Sequence, residues 1–537
     1  MERSFARWAD GLAVGALFCV AIVAWMTFRD YGLGWDDYTH SQYGDLLLKF
    51  YTSGFTDRRA LSFVNLYMYG GGFDMAAAAL DPITPFGLFE TRRLCGAFVG
   101  ILGMIATWRI ARRVAGPLAG LIALLLLITC PLYYGHMYMN AKDGPFAAAM
   151  AMLLLGLVRL LEDYPKPKVS TAIIFGLALG LSIGSRILGG IASLFVVLPL
   201  IVLLSADIRS TGWRNGARNA GLFLLRILPA FVLSYAVMAF IWPWSVQDPL
   251  NPFRAIEYFS HFFEKPWEEL YEGAAIYVPN MPRSYVPKHF LLKLPELMIV
   301  LCVGGIIGIA LNTIRRQYSA RRFSILLLIV AAATVPILIT VLTRPAMYNG
   351  IRHFVFIAPA LAVLGGMAGA WFLEDIERRS KRAAIVAAAV IAAGLADPVI
   401  AMKRLHPYQY THFNHIAGGV EGAEERFMID YWGLAFKEAS EKLRAILTER
   451  NESPKDHRRW RIAVCGPHPA AEVELGPEFI TTWDTKGADF AMMLGEFYCA
   501  EPDAPVLVEI EREDVTYAKV YDIRGYSMPS VFKNPGR

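Results

Sequence analysis

Long runs almost free of charge recur along this chain, each near the roughly 20 residues that a helix needs to cross a bilayer. Eleven lie at 10–28, 93–113, 117–134, 144–161, 169–185, 187–205, 221–243, 291–312, 323–343, 353–373 and 383–401. Ser185 and Arg186 separate two that are nearly fused. Charged residues make up 18% of the 537 positions, against roughly 25% in a soluble chain. The pattern therefore predicts an all-α polytopic membrane domain. The first run ends near Phe28 with no small-residue cleavage site after it, so it reads as an uncleaved signal anchor.

Basic residues set the expected orientation. Arg3 and Arg7, Arg109, Arg112 and Arg113, Arg159, Lys166 and Lys168, Arg209, Arg214 and Arg218 fall in alternate short loops. The same loops continue through Arg315, Arg316, Arg321 and Arg322 to Arg378, Arg379, Lys381 and Arg382. The positive-inside rule makes these cytoplasmic, with the N-terminus, and puts the C-terminus outside. The net charge of +5 is spread thinly between apolar runs, which excludes a nucleic-acid surface. Three outer segments are long. In 29–92, apolar residues at helical spacing predict interfacial amphipathic helices near 38–53 and 59–69. Residues 244–290 are rich in Pro and aromatics and read as an ordered loop. Residues 402–537 are polar, dividing the chain into a membrane domain at 1–401 and a small α/β extracytoplasmic domain at 402–537. In the latter a helix is expected at 433–449 and strands or a hairpin at 461–466, 490–497 and 506–523. Cys465 and Cys499 both lie there and can pair if that segment is outside the cytoplasm.

Chemistry-bearing residues gather on the expected outer face. Asp36 and Asp37 follow the first run directly; such a pair can take the proton of an attacking hydroxyl or cap the helix that follows. Lys142 and Asp143 end the third run, where Asp143-Gly144-Pro145 also reads as a helix start. Arg186 sits between two runs and can either snorkel to headgroups or bind a phosphate through its planar fork. Arg344, Arg352 and His353 crowd another outer boundary, with the same two readings. His40 and His136 read as structural, and no His, Asp and Glu spacing indicates a metal or other cofactor. Taken together, the group suits a lipid-linked phosphate: the tail stays in the bilayer, the phosphate meets cations, and a polar acceptor arrives from water.

Several motifs in order resemble a known group. They are Asp36-Asp37 after the first run, the Gly135-His136-Met137-Tyr138-Met139-Asn140-Ala141-Lys142-Asp143-Gly144-Pro145-Phe146 segment, and a Gly-rich run from Gly176 to Gly190 containing Arg186. Pro282-Arg283-Ser284-Tyr285-Val286-Pro287 with Lys293-Leu294-Pro295-Glu296, then Gly350-Ile351-Arg352-His353, follow. His406-Pro407-Tyr408, Phe413-Asn414, Gly418-Gly419 and Asp430-Tyr431-Trp432 complete the set. The chain resembles the bacterial GT-C glycosyltransferases of family 39, the protein O-mannosyltransferase and aminoarabinose transferase group, over residues 30–440. That resemblance implies a GT-C fold, a polyprenyl-phosphate sugar donor, an envelope acceptor and inversion at the anomeric carbon. It implies catalytic roles for Asp36, with Asp37 in support, and donor binding by Lys142, Asp143, Arg186, Arg352 and His353. A transporter or flippase of lipid-linked sugars is the alternative; it calls for paired halves with broken helices near the midplane, and the charges here cluster at one face instead.

Overall fold

A computed structural model describes residues 6–260, 267–454 and 458–527. The eleven expected spans each correspond to a helix or a helix pair. Among the described residues nine helices are long and apolar enough to cross a membrane, from Trp8–Thr27 to Lys381–Leu405, and the bent pair Pro117–Ile128 and Pro131–Met139 makes ten if it is counted as one span. Val169–Ser185 fills the remaining interval as a shorter apolar helix. Arg3 and Arg7 lie outside the described residues and side chains.

Burial separates the core of the bundle from its rim. The span Arg352–Arg379 has 89% of its apolar window buried inside the protein, whereas Lys381–Leu405 has 17%. The first therefore runs through the centre, and the second presents its apolar surface outward, where a bilayer rather than water must receive it. Small residues such as Ala360, Ala362 and Ala370, all buried, let neighbouring helices approach the central one closely.

The basic loops meet at one end of the bundle. There Arg112 grips Asp10 through two bonds of 2.7 and 2.6 Å, and Arg321 donates to the Tyr164 carbonyl at 2.8 Å. The pair Pro117–Ile128 and Pro131–Met139 bends by 61° at a break followed directly by Pro131. That proline has no N–H to continue the first helix, and the bend redirects the segment leading to Lys142.

Over the opposite end from the basic loops lie the long connections. The helix Asp37–Thr52 occupies the first predicted interfacial position. The second prediction, 59–69, is corrected: the chain makes two short 3-10 turns, Arg59–Ser62 and Leu66–Met68. Between them Val64 takes a left-handed φ of 50°, which a continuing helix does not allow. The segment 244–290 contains helix Asn251–Ser260, the hairpin of β1 (Glu268–Tyr271) and β2 (Ala274–Tyr277), and helix Tyr285–Lys293.

A small sheet domain closes the chain. Helix Phe436–Glu449 precedes β3 (Trp460–Cys465), β4 (Phe479–Thr482), β5 (Phe490–Leu494), β6 (Val506–Arg512) and β7 (Val515–Asp522). The strand order is β4-β3-β5-β7-β6, with β3 parallel to β4 and β5, and β7 antiparallel to its neighbours. Strand β4 went unread in the sequence because its four residues, Phe479–Thr482, bury only one side chain fully. A disulfide joins Cys465 at the end of β3 to Cys499 beyond β5. Replacing both with alanine should destabilise the sheet domain by roughly 2–4 kcal/mol, read as a lower unfolding midpoint. An unchanged midpoint would show that the bond contributes nothing to the folded state.

Candidate active site

Asp36 and Asp37, adjacent in sequence, have opposite environments. Gly34 lies so close to the Trp432 indole that a Cβ there would collide with it, and the Trp35 N–H donates to the Trp432 carbonyl at 3.2 Å. This pins the Trp35-Asp36-Asp37 turn beneath the C-terminal extension. Asp37 then faces the bundle: it receives both Nη atoms of Arg93 at 2.7 and 2.8 Å and the Gly34 N–H at 2.8 Å. It is 2% exposed. Its carboxylate is fully engaged in holding helix Asp37–Thr52 to the bundle. Asp36 precedes that helix without a side-chain capping bond. Its carboxylate forms no hydrogen bond or ion pair with the described residues. Burial alone would raise its pKa, but Lys142, Arg352 and His40 outweigh that and hold it below the ordinary carboxylate range.

Asn140 builds the Lys142 turn. Its Oδ1 accepts the N–H groups of Lys142 (3.1 Å) and Asp143 (2.8 Å), and its Nδ2 donates to Asp143 Oδ2 at 2.8 Å. His136, one helical turn earlier, shares a contact of 3.2 Å with Asn140 and one of 3.0 Å with the Tyr431 hydroxyl. His136 thus links Asn140 to the C-terminal extension. The Lys142 ammonium sits 4.3 Å from the Tyr69 ring centre. Burial lowers its pKa, and Asp36 pulls in the opposite direction.

Asp143 is the hub for the cations. Arg186 pairs with its Oδ1, and Arg352 Nη1 lies 3.8 Å from its Oδ2. Arg186 stands at the extended residue that ends helix Val169–Ser185, where a φ of −149° breaks the helix and frees the side chain. Gly70 packs on the Gly184 carbonyl with no room for a Cβ; this close approach brings the Tyr69 ring to 5.9 Å from the Arg186 guanidinium. Arg352 is sandwiched between Tyr348 and Trp432, 4.8 Å from each ring centre. His353 lies 4.9 Å from Tyr348. Arg344, by contrast, leaves the group and donates to the Met281 and Asn280 carbonyls.

Asp36, Lys142, Asp143, Arg186 and Arg352 therefore share one electrostatic cluster. Three cationic side chains meet two carboxylates, leaving one positive charge uncompensated. A buried excess of this kind favours an anion. Behind it, Asp74 binds His40 Nδ1 at 2.7 Å and Arg92 at 2.5 Å, a supporting network absent from the sequence reading. Tyr69, Tyr348, Arg92 and Arg93 were also missed. Only the Arg92-Arg93 pair gave a signal, as two charges at the mouth of an apolar helix. Among the described residues Glu296, Asp397 and His415 form the group with metal-ligand spacing, and it shares no residue with this cluster.

Comparison with known proteins accords with this architecture. Residues 87–241 match the family model of dolichyl-phosphate-mannose-protein mannosyltransferase. ArnT from Cupriavidus metallidurans in the apo state superimposes with a TM-score of 0.50 at 14% identity, covering 97% of this chain and 99% of that one. The same protein bound to undecaprenyl phosphate gives 0.49 at 17% identity over 94% and 97%. The archaeal oligosaccharyltransferase AglB from Archaeoglobus fulgidus, in complex with an inhibitory peptide and a dolichol-phosphate, gives 0.47 at 12% identity over 91% and 70%. No curated protein sequence matches. At 14% identity the likeness to apo ArnT shows the fold alone, in keeping with the GT-C fold expected from the sequence.

The contrast between the two acidic neighbours is measurable. Asp37→Asn breaks a buried ion pair and should cost roughly 3–5 kcal/mol, whereas Asp36→Asn breaks no bond and should leave the unfolding midpoint far closer to wild type. Equal losses for the two would contradict the division of labour described here.

Proposed function

We propose that this GT-C chain is a multi-pass glycosyltransferase of a bacterial inner membrane, moving a sugar from a polyprenyl-phosphate donor to an envelope acceptor (glycolipid, glycan or protein). The observation that carries the reading is Asp36: a carboxylate without a bonded partner, held ionised beside Lys142 and Arg352. Such a group can accept a proton, and its neighbours can accept the charge that appears on a departing phosphate.

The reaction follows from those placements. An acceptor hydroxyl gives its proton to Asp36 as its oxygen bonds to the anomeric carbon. The bond from that carbon to the phosphate oxygen breaks, and the electron pair leaves on the polyprenyl phosphate. Attack opposite the leaving group inverts the anomeric centre. Lys142, Arg186 and Arg352 would meet the phosphate, and His353 would border the sugar side. Asp143 would orient the two guanidiniums, while Asp37 supports Asp36 by fixing the turn. The scheme requires no cofactor. By the positive-inside rule the end that carries the basic loops would be cytoplasmic, and the site, with the sheet domain above it, would face the periplasmic side.

The test uses the full chain in proteoliposomes, with undecaprenyl-phosphate sugars as donors and envelope extract as acceptor. Asp36→Asn should lower product formation by a factor on the order of 100 or more. Wild-type rates in that variant would remove Asp36 from the mechanism. Donor translocation with no new glycosidic bond would favour a flippase instead.

A further inference from the structure

Glu269 lies on β1, outside every motif noted in the sequence, and is 2% exposed. Its Oε2 accepts the Asn349 N–H at 2.6 Å, and its Oε1 accepts the Tyr285 hydroxyl. The Gly350 N–H reaches the Tyr285 oxygen at 2.8 Å and Glu269 Oε1 at 3.5 Å. Asn349 and Gly350 are both left-handed, with φ of 56° and 62°. Two successive residues of that kind turn their N–H groups to one side, a concave arrangement that an anion completes. Here the anion is the protein's own carboxylate. This turn stands between Tyr348 and Arg352, the two side chains that stack at 4.8 Å beside Asp143.

We propose that Glu269 is a positioning residue of the donor site, holding the 349–350 turn so that Arg352 and Tyr348 are delivered to the donor phosphate. The inference rests on the reading of this pocket as a polyprenyl-phosphate site. Asn349 would not hold a left-handed conformation unaided as readily as glycine does, so the turn depends on what binds its N–H groups. A carboxylate can serve both at once. A side-chain amide has one oxygen, and its nitrogen would face N–H donors.

The carboxylate is also placed to respond to pH. Burial pushes its pKa up to about 7, against the bonds from Tyr285, Asn349 and Gly350 and the charge of Arg352. Lys293, Glu496 and Tyr431 face it as well, and burial brings the Lys293 ammonium down to about 7. The ionised clamp is complete above that value and weakens as pH falls through it.

Binding of undecaprenyl phosphate to the full chain in nanodiscs tests this. At pH 8, Glu269→Gln should weaken the Kd at least tenfold, and Arg352→Ala should do the same. The double variant should lose little more than either alone, because one residue acts through the other. Lowering the pH from 8 to 6 should weaken the wild type more than Glu269→Gln. Should that variant fail to fold, Tyr285→Phe reports on the same clamp, with a smaller loss that likewise disappears in the Arg352→Ala background. Wild-type affinity in Glu269→Gln, or losses that simply add to those of Arg352→Ala, would overturn the proposal while leaving the donor site intact. A wild-type protein that does not bind the lipid would remove the donor reading and this proposal with it.

Discussion

Everything at this end of the bundle depends on keeping charged side chains out of water without neutralising all of them. Asp143 makes that feasible: one carboxylate, fixed by Asn140, draws in Arg186 and Arg352 from two other parts of the chain. The aromatic rings of Tyr69, Tyr348 and Trp432 then cover the cations with polarisable surface rather than with counter-charge. The result is a cluster that is stable yet still attractive to an anion. Asp36 stays unbonded because its neighbour Asp37 has taken Arg93. Structure and reactivity are thereby divided between two adjacent carboxylates.

Elements distant in sequence enclose the cluster. Trp432 lies far beyond the last span, yet it seats Gly34 and Arg352 together, and Tyr431 reaches back to His136. The C-terminal extension is thus part of the site's wall as well as the lead into the sheet domain. The hairpin that carries Glu269 plays the same part from the other side, bonding the turn before Arg352. Both segments tie the site to the outer layer of the molecule.

Much of this was legible in the sequence because it is local. A run of 20 apolar residues encodes a span by itself, and each of the eleven intervals became a helix or helix pair. The turn at Lys142 was also visible, since Asn140 to Pro145 carry its bonds within six positions. The separate fates of Asp36 and Asp37 were not, because Arg93 lies 56 residues away and nothing local announces the pairing. Likewise Leu61, Val64 and Met68 have helical spacing, but the left-handed Val64 divides the segment into two turns. Glu269 was invisible for the same reason as Arg93: its partners, Tyr285, Asn349 and Gly350, come from other elements.

The most direct test is an experimental structure of the full chain with undecaprenyl phosphate bound. The account predicts phosphate density within about 3 Å of the Lys142 and Arg186 nitrogens, with the Asp36 carboxylate still unpaired. Phosphate bound elsewhere, or Asp36 captured in an ion pair with one of those cations, would contradict it.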